Sequence, residues 1–315
     1  VITMDIRLPG MNGFEATALI MSRQPTPVVV VSASIEAEDL NITMNALHAG
    51  ALSVIEKPVG IAHADYEPMS KKVCDQLVSM SQVRVVRQRA SRPMTFPRSK
   101  NQPIISPPLK RPASLRSSVK IVALVASTGG PAALVRILSA LPVDFAAPIL
   151  LVQHMAPSFI DGFVSWLDRS VPLNVVSARS GTVPKRGNVY IAPAEFHLEM
   201  GPLTLRLSDA PPLHNQRPSG SVLFRSLARS LGPDALGVIL TGMGEDGADG
   251  LLAMKQAGAH TIAEDQSTAV VFGMPAAAIA LGAATETLPL ASVAARLQEL
   301  IVDEEIGRAS CRERV

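Results

Sequence analysis

The sequence predicts an α/β protein of two units, each containing a mostly parallel sheet. Short apolar runs alternate with segments of helical periodicity in both halves of the 315 residues, which is the pattern of strands joined by crossover helices. Hydrophobic residues make up 47% of the chain but aromatic residues only 3%, which suits aliphatic cores on both faces of such sheets. Between the halves, residues 93–118 contain six prolines and no acid, as in an extended linker.

The first half alternates three strands with three helices. Pro27–Ser32 contains four consecutive valines, a pattern typical of a buried strand. The predicted strands are Val1–Asp5, Pro27–Ser32 and Ser53–Lys57, and the predicted helices are Gly13–Arg23, Asp39–Ala49 and Met69–Arg89.

The second half repeats the alternation, with Pro131 near the first turn of its first helix. The predicted strands are 121–127, 148–154, 188–193, 203–208, 236–242 and 260–265, and the predicted helices are 129–141, 219–231, 247–256 and 291–302. This order predicts a doubly wound, mostly parallel, Rossmann-like sheet.

The chain therefore divides into residues 1–92, the linker 93–118, residues 119–303 and a tail, 304–315, which lacks an apolar period and is interpreted as non-native. Two cysteines cannot form a disulfide framework, and Cys74 is expected to be a buried thiol, so we expect a reducing, cytoplasmic location. The net charge of +2 gives no basis for nucleic-acid binding. Glycines and a proline interrupt the longest uncharged stretch, so no membrane insertion is expected.

Three motifs in the first half, MDIRLPGMNG, VVVVSAS and IEKP, resemble those of a two-component receiver domain, a flavodoxin-like fold. The resemblance implies that Asp5 accepts a phosphoryl group from a histidine kinase and that Ser32 and Lys57 are the switch residues. Receivers bind Mg²⁺ with paired acids that follow their first strand. This chain begins at the third strand, so the sequence predicts an incomplete magnesium site and no intact metal site.

Ser127 lies between a predicted buried strand and the glycine-rich start of a helix. Gly129 and Gly130 would let a substrate carbonyl approach the backbone, and a helix N-terminus favours developing negative charge. These features make Ser127 a candidate nucleophile. The alternative is that Ser127 or Thr128 is only the N-cap of the helix.

His154 ends the next predicted strand and is the candidate base, with His197 as its one rival. Asp246 lies in the turn GMGEDG, which also matches the glycine spacing of a dinucleotide-binding loop. Two carboxylates in that loop, Glu245 and Asp246, would repel a pyrophosphate. The turn is therefore interpreted as one that presents Asp246, with Glu245 and Asp249 as solvated neighbours.

These three residues follow strands whose carboxyl ends should meet at one edge of the sheet. We therefore predict that Ser127, His154 and Asp246 converge as nucleophile, base and orienting acid, a chemistry that needs no metal or other cofactor. The G-x-S-x-G motif is absent, which argues against a lipase-type hydrolase. From their loop positions, backbone N–H groups near Thr128, Gly129 and Met243 are candidates for binding the oxyanion or the substrate.

The segments ASTGGP, QHM, LTGMGEDGA and AEDQSTAVVFGMP resemble the catalytic domain of the CheB family of chemotaxis protein-glutamate methylesterases, through about residues 119–303. The resemblance implies the same triad. It implies demethylation of glutamate γ-methyl esters, with release of methanol, and deamidation of glutamines on methyl-accepting chemotaxis receptors. A chemotaxis histidine kinase would be the phosphodonor, and the resting receiver would cover the active site. Glu245 and the pair Gly220–Ser221 depart from the family pattern and leave substrate-binding detail open.

Two other classes remain open from the sequence alone. One is a non-catalytic regulator that keeps the fold and only docks on receptors. The other is a nucleotide-binding α/β domain, suggested by the glycine spacing around Gly242.

The incomplete magnesium site predicts that this chain has lost phosphorylation-dependent switching. A phosphoryl donor should therefore leave its esterase rate unchanged. Methanol release measured with and without the donor checks this expectation, and marked stimulation would refute it.

Overall fold

The computed structural model describes residues 1–32, 43–47, 49–58, 60, 63, 66–81, 83 and 120–301. In the first unit, three strands form a parallel sheet in the order β1-β2-β3. The elements are β1 Ile2–Met4, α1 Gly13–Arg23, β2 Val28–Ser32, β3 Ser53–Glu56 and α2 Tyr66–Ser81.

Local sequence explains where helix α1 begins. Asn12 is its N-cap, and the Asn12 side chain accepts a hydrogen bond from the Glu15 N–H at 2.9 Å. The Glu15 carboxylate accepts one from the Asn12 N–H at 3.1 Å, which completes a reciprocal capping box. The predicted bounds of this helix are confirmed.

The second unit is built on seven parallel strands in the order β12-β11-β10-β4-β5-β7-β6. The chain enters at the central strand β4, adds strands on one side, and then returns to add the rest on the other. This confirms the predicted α/β fold with a doubly wound sheet. The strands are β4 Ile121–Ala126, β5 Ile149–Gln153, β6 Asn174–Ser177, β7 Asn188–Ile191, β10 Ala235–Ile239, β11 His260–Glu264 and β12 Glu286–Leu288.

Five helices lie between these strands along the chain, and a sixth follows β12. A separate antiparallel pair, β8 with β9, lies outside the main sheet. The remaining elements are α3 Gly130–Leu138, α4 Ile160–Ser170, β8 His197–Met200, β9 Leu205–Ser208, α5 Gly220–Ser230, α6 Ala248–Gln256, α7 Met274–Ala280 and α8 Leu290–Leu300, with 3₁₀ turns at Pro157–Phe159 and Gly232–Asp234.

Strand β4 shows why the sequence of a strand in this sheet is continuously apolar. Its residues alternate between two buried clusters, with Val122 and Leu124 in the cluster on one face and Ala123 and Val125 in the cluster on the other. All six residues of the strand are buried. Helices therefore cover both faces of the sheet, as expected for a parallel arrangement.

Several elements were not predicted from the sequence. They are α4, β6, β8, α7 and β12. The predicted helix at residues 69–89 begins earlier, at Tyr66, and the described part ends at Ser81. Cys74 was expected to be buried but is exposed, because it lies on the outward side of α2.

Two of the predicted segments, the linker 93–118 and the tail 304–315, lie outside the described residues. Within the described part of the chain, no helix combines the length and apolar character needed to cross a bilayer.

A matched pair of leucines tests the packing of the central strand. Leu124 is fully buried and Leu203 is 77% exposed. Leu124→Ala should lower the free energy of unfolding by about 2–5 kcal/mol, because it leaves a cavity in the core. Leu203→Ala should change it by less than about 0.5 kcal/mol. Denaturant unfolding of the full chain measures both, and similar losses would contradict the assignment of β4 to the core.

Candidate active site

The three predicted catalytic residues lie at the carboxyl ends of neighbouring strands. Ser127 follows β4, His154 follows β5, and Asp246 lies in the loop after β10. Strand β4 is bonded to both β5 and β10, so the chain reverses its winding direction at β4. Crevices form at such a switch point because the adjoining loops diverge.

Backbone contacts hold Ser127 beside the loop of the acid. Its N–H donates to the Thr241 carbonyl at 3.0 Å, and a Cβ added at Gly242 would lie 2.7 Å from the Ser127 Cβ. Neither Ser127 nor Thr128 caps helix α3. The N-cap is Gly129, with φ +79° and no side-chain cap bond, so the interpretation of Ser127 as a helix cap is wrong.

The buried Gln153 side chain links the candidate nucleophile to the candidate base. Its Nε2 donates to the main-chain carbonyl of Ser127 at 2.8 Å and to that of His154 at 2.9 Å. Gly130 is needed at this point, because a Cβ there would come within 2.1 Å of Gln153 Oε1. Gln153 was not predicted from the sequence, where its only signal is its position next to His154.

His154 and Asp246 form a buried pair. His154 Nε2 lies 2.9 Å from Asp246 Oδ2, and the two side chains are 6% and 4% exposed. The distance suits a hydrogen bond, but the ring nitrogen lacks the alignment of a regular one. The contact is therefore a close approach of the imidazole to the carboxylate.

Asp246 is a carboxylate that the protein keeps ionised although it is buried. Burial alone disfavours the charge, but contacts from His154, Ser219 and the Gly220 N–H outweigh it and hold the pKa of Asp246 below its ordinary value. The same carboxylate excludes the dinucleotide interpretation of the loop, since a pyrophosphate would meet a fixed negative charge there.

The rival base, His197, does not lie in this group. It is 1% exposed, its Nδ1 accepts a hydrogen bond from the Ser219 N–H at 3.1 Å, and its Nε2 lies 3.2 Å from the Pro211 carbonyl. Both ring nitrogens are therefore occupied by main-chain groups, and His197 is a structural residue.

Of the two acids beside Asp246, one was interpreted wrongly. Glu245 is exposed, as expected of a solvated neighbour. Asp249 instead contacts Arg225 at 2.6 Å, His214 at 3.2 Å and the Ser221 hydroxyl. Ser221 also accepts the Gly247 N–H at 2.8 Å, so it joins helix α5 to the turn that follows Asp246.

The candidate oxyanion groups differ in their surroundings. Thr128 is 6% exposed, whereas Met243 is 46% exposed at the rim. The Gly129 N–H donates to the main-chain carbonyl of Leu52 at 3.0 Å. Leu52 belongs to the first unit, so that unit reaches the backbone of the candidate site.

The first unit forms one wall of the cleft above Ser127. The cleft has a volume of ≈ 340 Å³. Leu52 and Ile55 also share an apolar cluster with Val270 and Val271 of the second unit. Both units therefore contribute to the walls of the cleft. The lining residues are Leu47, Leu52, Ser53, Val54, Ile55, Glu56, Met69, Gln76, Ser127, Thr128, Pro131, Gln153, His154, Met155, Ala156, Pro157 and Gln216.

The receiver motif places Asp5 just after β1. Lys57 Nζ lies 2.5 Å from Asp5 Oδ2. Partial burial opposes the charge on Asp5, but the Lys57 ammonium outweighs it and holds the pKa of Asp5 below its ordinary value. Ser32 is 2% exposed at the end of β2.

The sequence predicts an incomplete magnesium site at this end of the sheet. Across the described ranges, no three His, Cys, Asp or Glu side chains are grouped so that they could hold a metal ion. Asp5, paired with an ammonium, does not by itself make a Mg²⁺ site, and the incompleteness of that site stays a prediction.

A second buried acid, Glu264, holds the loop that leads to Asp246. Its carboxylate is fully buried and accepts hydrogen bonds from the Thr241 N–H at 2.8 Å and from the Thr268 hydroxyl at 3.1 Å. Burial outweighs these bonds and raises the pKa of Glu264.

Known proteins resemble the chain over both units. The family model described as CheB methylesterase matches residues 122–297, and the model of the response regulator receiver domain matches residues 1–64. Protein-glutamate methylesterase/protein-glutamine glutaminase 2 of Paramagnetospirillum magneticum is 52% identical over 305 residues, which cover 97% of this chain and 85% of that protein.

A second relative and a solved structure also resemble this chain. The protein-glutamate methylesterase/protein-glutamine glutaminase of Nitrosospira multiformis is 47% identical over 96% of this chain and 84% of its own length. The crystal structure of the Thermotoga maritima CheB methylesterase catalytic domain is 40% identical with a TM-score of 0.56, and the match covers 58% of this chain and 99% of that domain.

Replacing Glu264 tests the cost of its burial. Because its folded-state pKa is raised, the stability linked to its proton is fully present below the ordinary value of 4.5 and is lost as pH rises through the folded-state value. The melting temperature of Glu264→Gln, relative to the parent chain, should therefore increase with pH. Thermal unfolding between about pH 4 and pH 8 measures this difference. Glu67→Gln, on the exposed side of α2, is the control, and equal slopes for both variants would contradict the expectation.

Proposed function

The chain belongs to the CheB methylesterase family, and we propose that Ser127, His154 and Asp246 are the catalytic triad of its hydrolytic reaction. That reaction is the demethylation of glutamate γ-methyl esters and the deamidation of glutamine side chains in proteins. The single observation that carries the proposal is the buried contact of 2.9 Å between His154 and Asp246 at the sheet edge where Ser127 also lies.

Ser127 and His154 have different roles in the reaction. Ser127 Oγ attacks the side-chain carbonyl carbon, and His154 takes the hydroxyl proton. Since His154 Nε2 faces Asp246, the proton is exchanged at Nδ1. The tetrahedral adduct then breaks its bond to the methoxy or amino group, which leaves as methanol or ammonia with the proton from His154. Water, activated by the same histidine, hydrolyses the acyl-enzyme and releases the glutamate carboxylate.

Asp246 stabilises the imidazolium that forms in both half-reactions. Its depressed pKa keeps it ionised at neutral pH, which an orienting acid needs. The developing oxyanion would be bound by backbone N–H groups near Thr128, Gly129 and Met243. Fixed donors of this kind act strongly, because they need no reorganisation during the reaction.

Methyl-accepting chemotaxis receptors are the proposed substrates, and a chemotaxis histidine kinase is the proposed phosphodonor, with Asp5 as acceptor. The pairing of Asp5 with Lys57 at 2.5 Å supports the acceptor role, because a carboxylate needs a nearby cation to approach a phosphoryl group. Ser32 and Lys57 occupy the positions of the switch residues, but because the magnesium site is predicted to be incomplete we expect no phosphorylation-dependent switching through them. The exposed Cys74 thiol suits the reducing cytoplasm as the compartment.

The arrangement of the two units supports a resting form in which the receiver limits access. The Leu52 carbonyl accepts the Gly129 N–H, and residues of the receiver line the cleft beside Ser127. Exchange with an open arrangement, in which the receiver has moved away, would then set the activity.

Removal of the nucleophile tests the proposal. Ser127→Ala should lower methanol release from methylated receptor fragments by about four to six orders of magnitude, because the covalent route is lost. The rate is measured on the full chain under saturating substrate.

The matched control is Ser165→Ala, which removes an exposed hydroxyl on helix α4. It should leave methanol release unchanged. Equal rates for the parent chain and Ser127→Ala would show that Ser127 is not the nucleophile and would favour a docking role without catalysis.

A further inference from the structure

Helix α5 supplies Asp246 with three hydrogen-bond donors that do not come from its own loop. The Ser219 hydroxyl donates to Oδ1 at 2.6 Å, the Gly220 N–H to Oδ2 at 2.6 Å and the Ser221 N–H to Oδ1 at 3.3 Å. Ser219 is fully buried, and Asp246 is 4% exposed. The carboxylate is thus held mainly by the start of a helix 26 residues away in sequence.

The direction of the Ser219 hydrogen bond is fixed. Its oxygen also accepts the Val222 N–H at 3.4 Å as the N-cap of helix α5, and an ionised carboxylate can only accept. The single hydroxyl proton therefore points at Asp246 Oδ1. Hydrogen bonds to a charged acceptor are stronger than neutral ones.

Ser219 is itself held in place by a buried histidine. Its N–H donates to His197 Nδ1 at 3.1 Å, and His197 is anchored in turn at the Pro211 carbonyl. The next residue, Gly220, packs so closely on β4 that an added Cβ would lie 2.4 Å from Val125 Cγ1. Gly220 and Ser221, where the chain departs from the family pattern, therefore support the acid and do not line the cleft.

We infer that Ser219 is a positioning residue for the reaction, whose hydroxyl keeps the Asp246 carboxylate aimed at His154. This inference rests on the proposed role of Asp246. With Oδ1 held by Ser219, Oδ2 stays directed at the imidazole, where it lies 2.9 Å from Nε2. Without that hold, Oδ1 keeps only the longer hydrogen bond from the Ser221 N–H at 3.3 Å. The carboxylate is then aimed less firmly at His154, and the imidazolium formed in the transition state is stabilised less.

Three variants of Ser219 test the inference in the full chain. Ser219→Ala removes the hydroxyl and the helix cap, Ser219→Gly removes the hydroxyl but leaves an acceptable N-cap, and Ser219→Thr keeps both. Ala and Gly should each lower kcat for methanol release by about 10- to 100-fold, the effect of losing one hydrogen bond to a charged group. KM should change by less than about threefold, since the substrate does not touch Ser219. Thr should recover most of kcat.

Ser226 provides a matched control on the same helix. It is 1% exposed, its hydroxyl accepts the Met200 N–H at 2.8 Å and donates to the Leu223 carbonyl at 2.7 Å, and neither partner is a proposed catalytic residue. Ser226→Ala should lower the melting temperature as Ser219→Ala does but leave kcat unchanged.

The outcomes separate this inference from the proposed function. If Ser219→Gly keeps kcat within about twofold while Ser127→Ala is inactive, Ser219 is only a helix cap and the inference falls alone. An equal loss of kcat in Ser226→Ala would also overturn it, because general loosening of α5 would then explain the effect. Full activity of Ser127→Ala would remove the proposed function itself, and this inference with it.

Discussion

The site depends on one electrostatic constraint: the Asp246 carboxylate is withdrawn from water and must remain charged. A buried charge without partners is strongly disfavoured. The fold supplies partners from separate segments, namely the imidazole of His154 after β5 and the hydroxyl and amides at the start of α5. The carboxylate therefore joins β5, β10 and α5. The contacts that offset its burial are the same contacts that orient it for its proposed catalytic role.

The crevice itself comes from the topology of the sheet. Strand β4 lies between β5 and β10. The chain first adds β5 on one side of β4 and later adds β10 on the other side. Ser127 and Asp246 therefore approach from loops that diverge above the sheet. Room at the base is limited, since a Cβ at Gly242 would come within 2.7 Å of the Ser127 Cβ. Glycine is needed there for space, not for an unusual backbone angle.

The sequence predicts the ends of strands better than it predicts what supports them. Ser127, His154 and Asp246 follow apolar runs, so the alternation of strands and helices is enough to place them together. Ser219 carries only the local signal of a helix start, because its partner Asp246 is 27 residues away. Asp249 was interpreted as solvated for the same reason, since Arg225 and Ser221, at 24 and 28 residues, become neighbours only in the folded chain.

In the proposed resting form, the receiver occupies a backbone donor that is also proposed to bind the substrate. Leu52 presents an amide carbonyl to the Gly129 N–H, one of the donors proposed to meet the substrate carbonyl. Such a neutral hydrogen bond contributes only about 0.5–1.5 kcal/mol net, so the docked arrangement must rest mainly on the apolar cluster of Leu52 and Ile55 with Val270 and Val271. Apolar contacts depend little on the relative orientation of the groups, whereas a hydrogen bond depends on it strongly. In the proposed resting form, the apolar cluster would therefore supply most of the docking energy, and the hydrogen bond of Leu52 would fix the position of the receiver above Ser127.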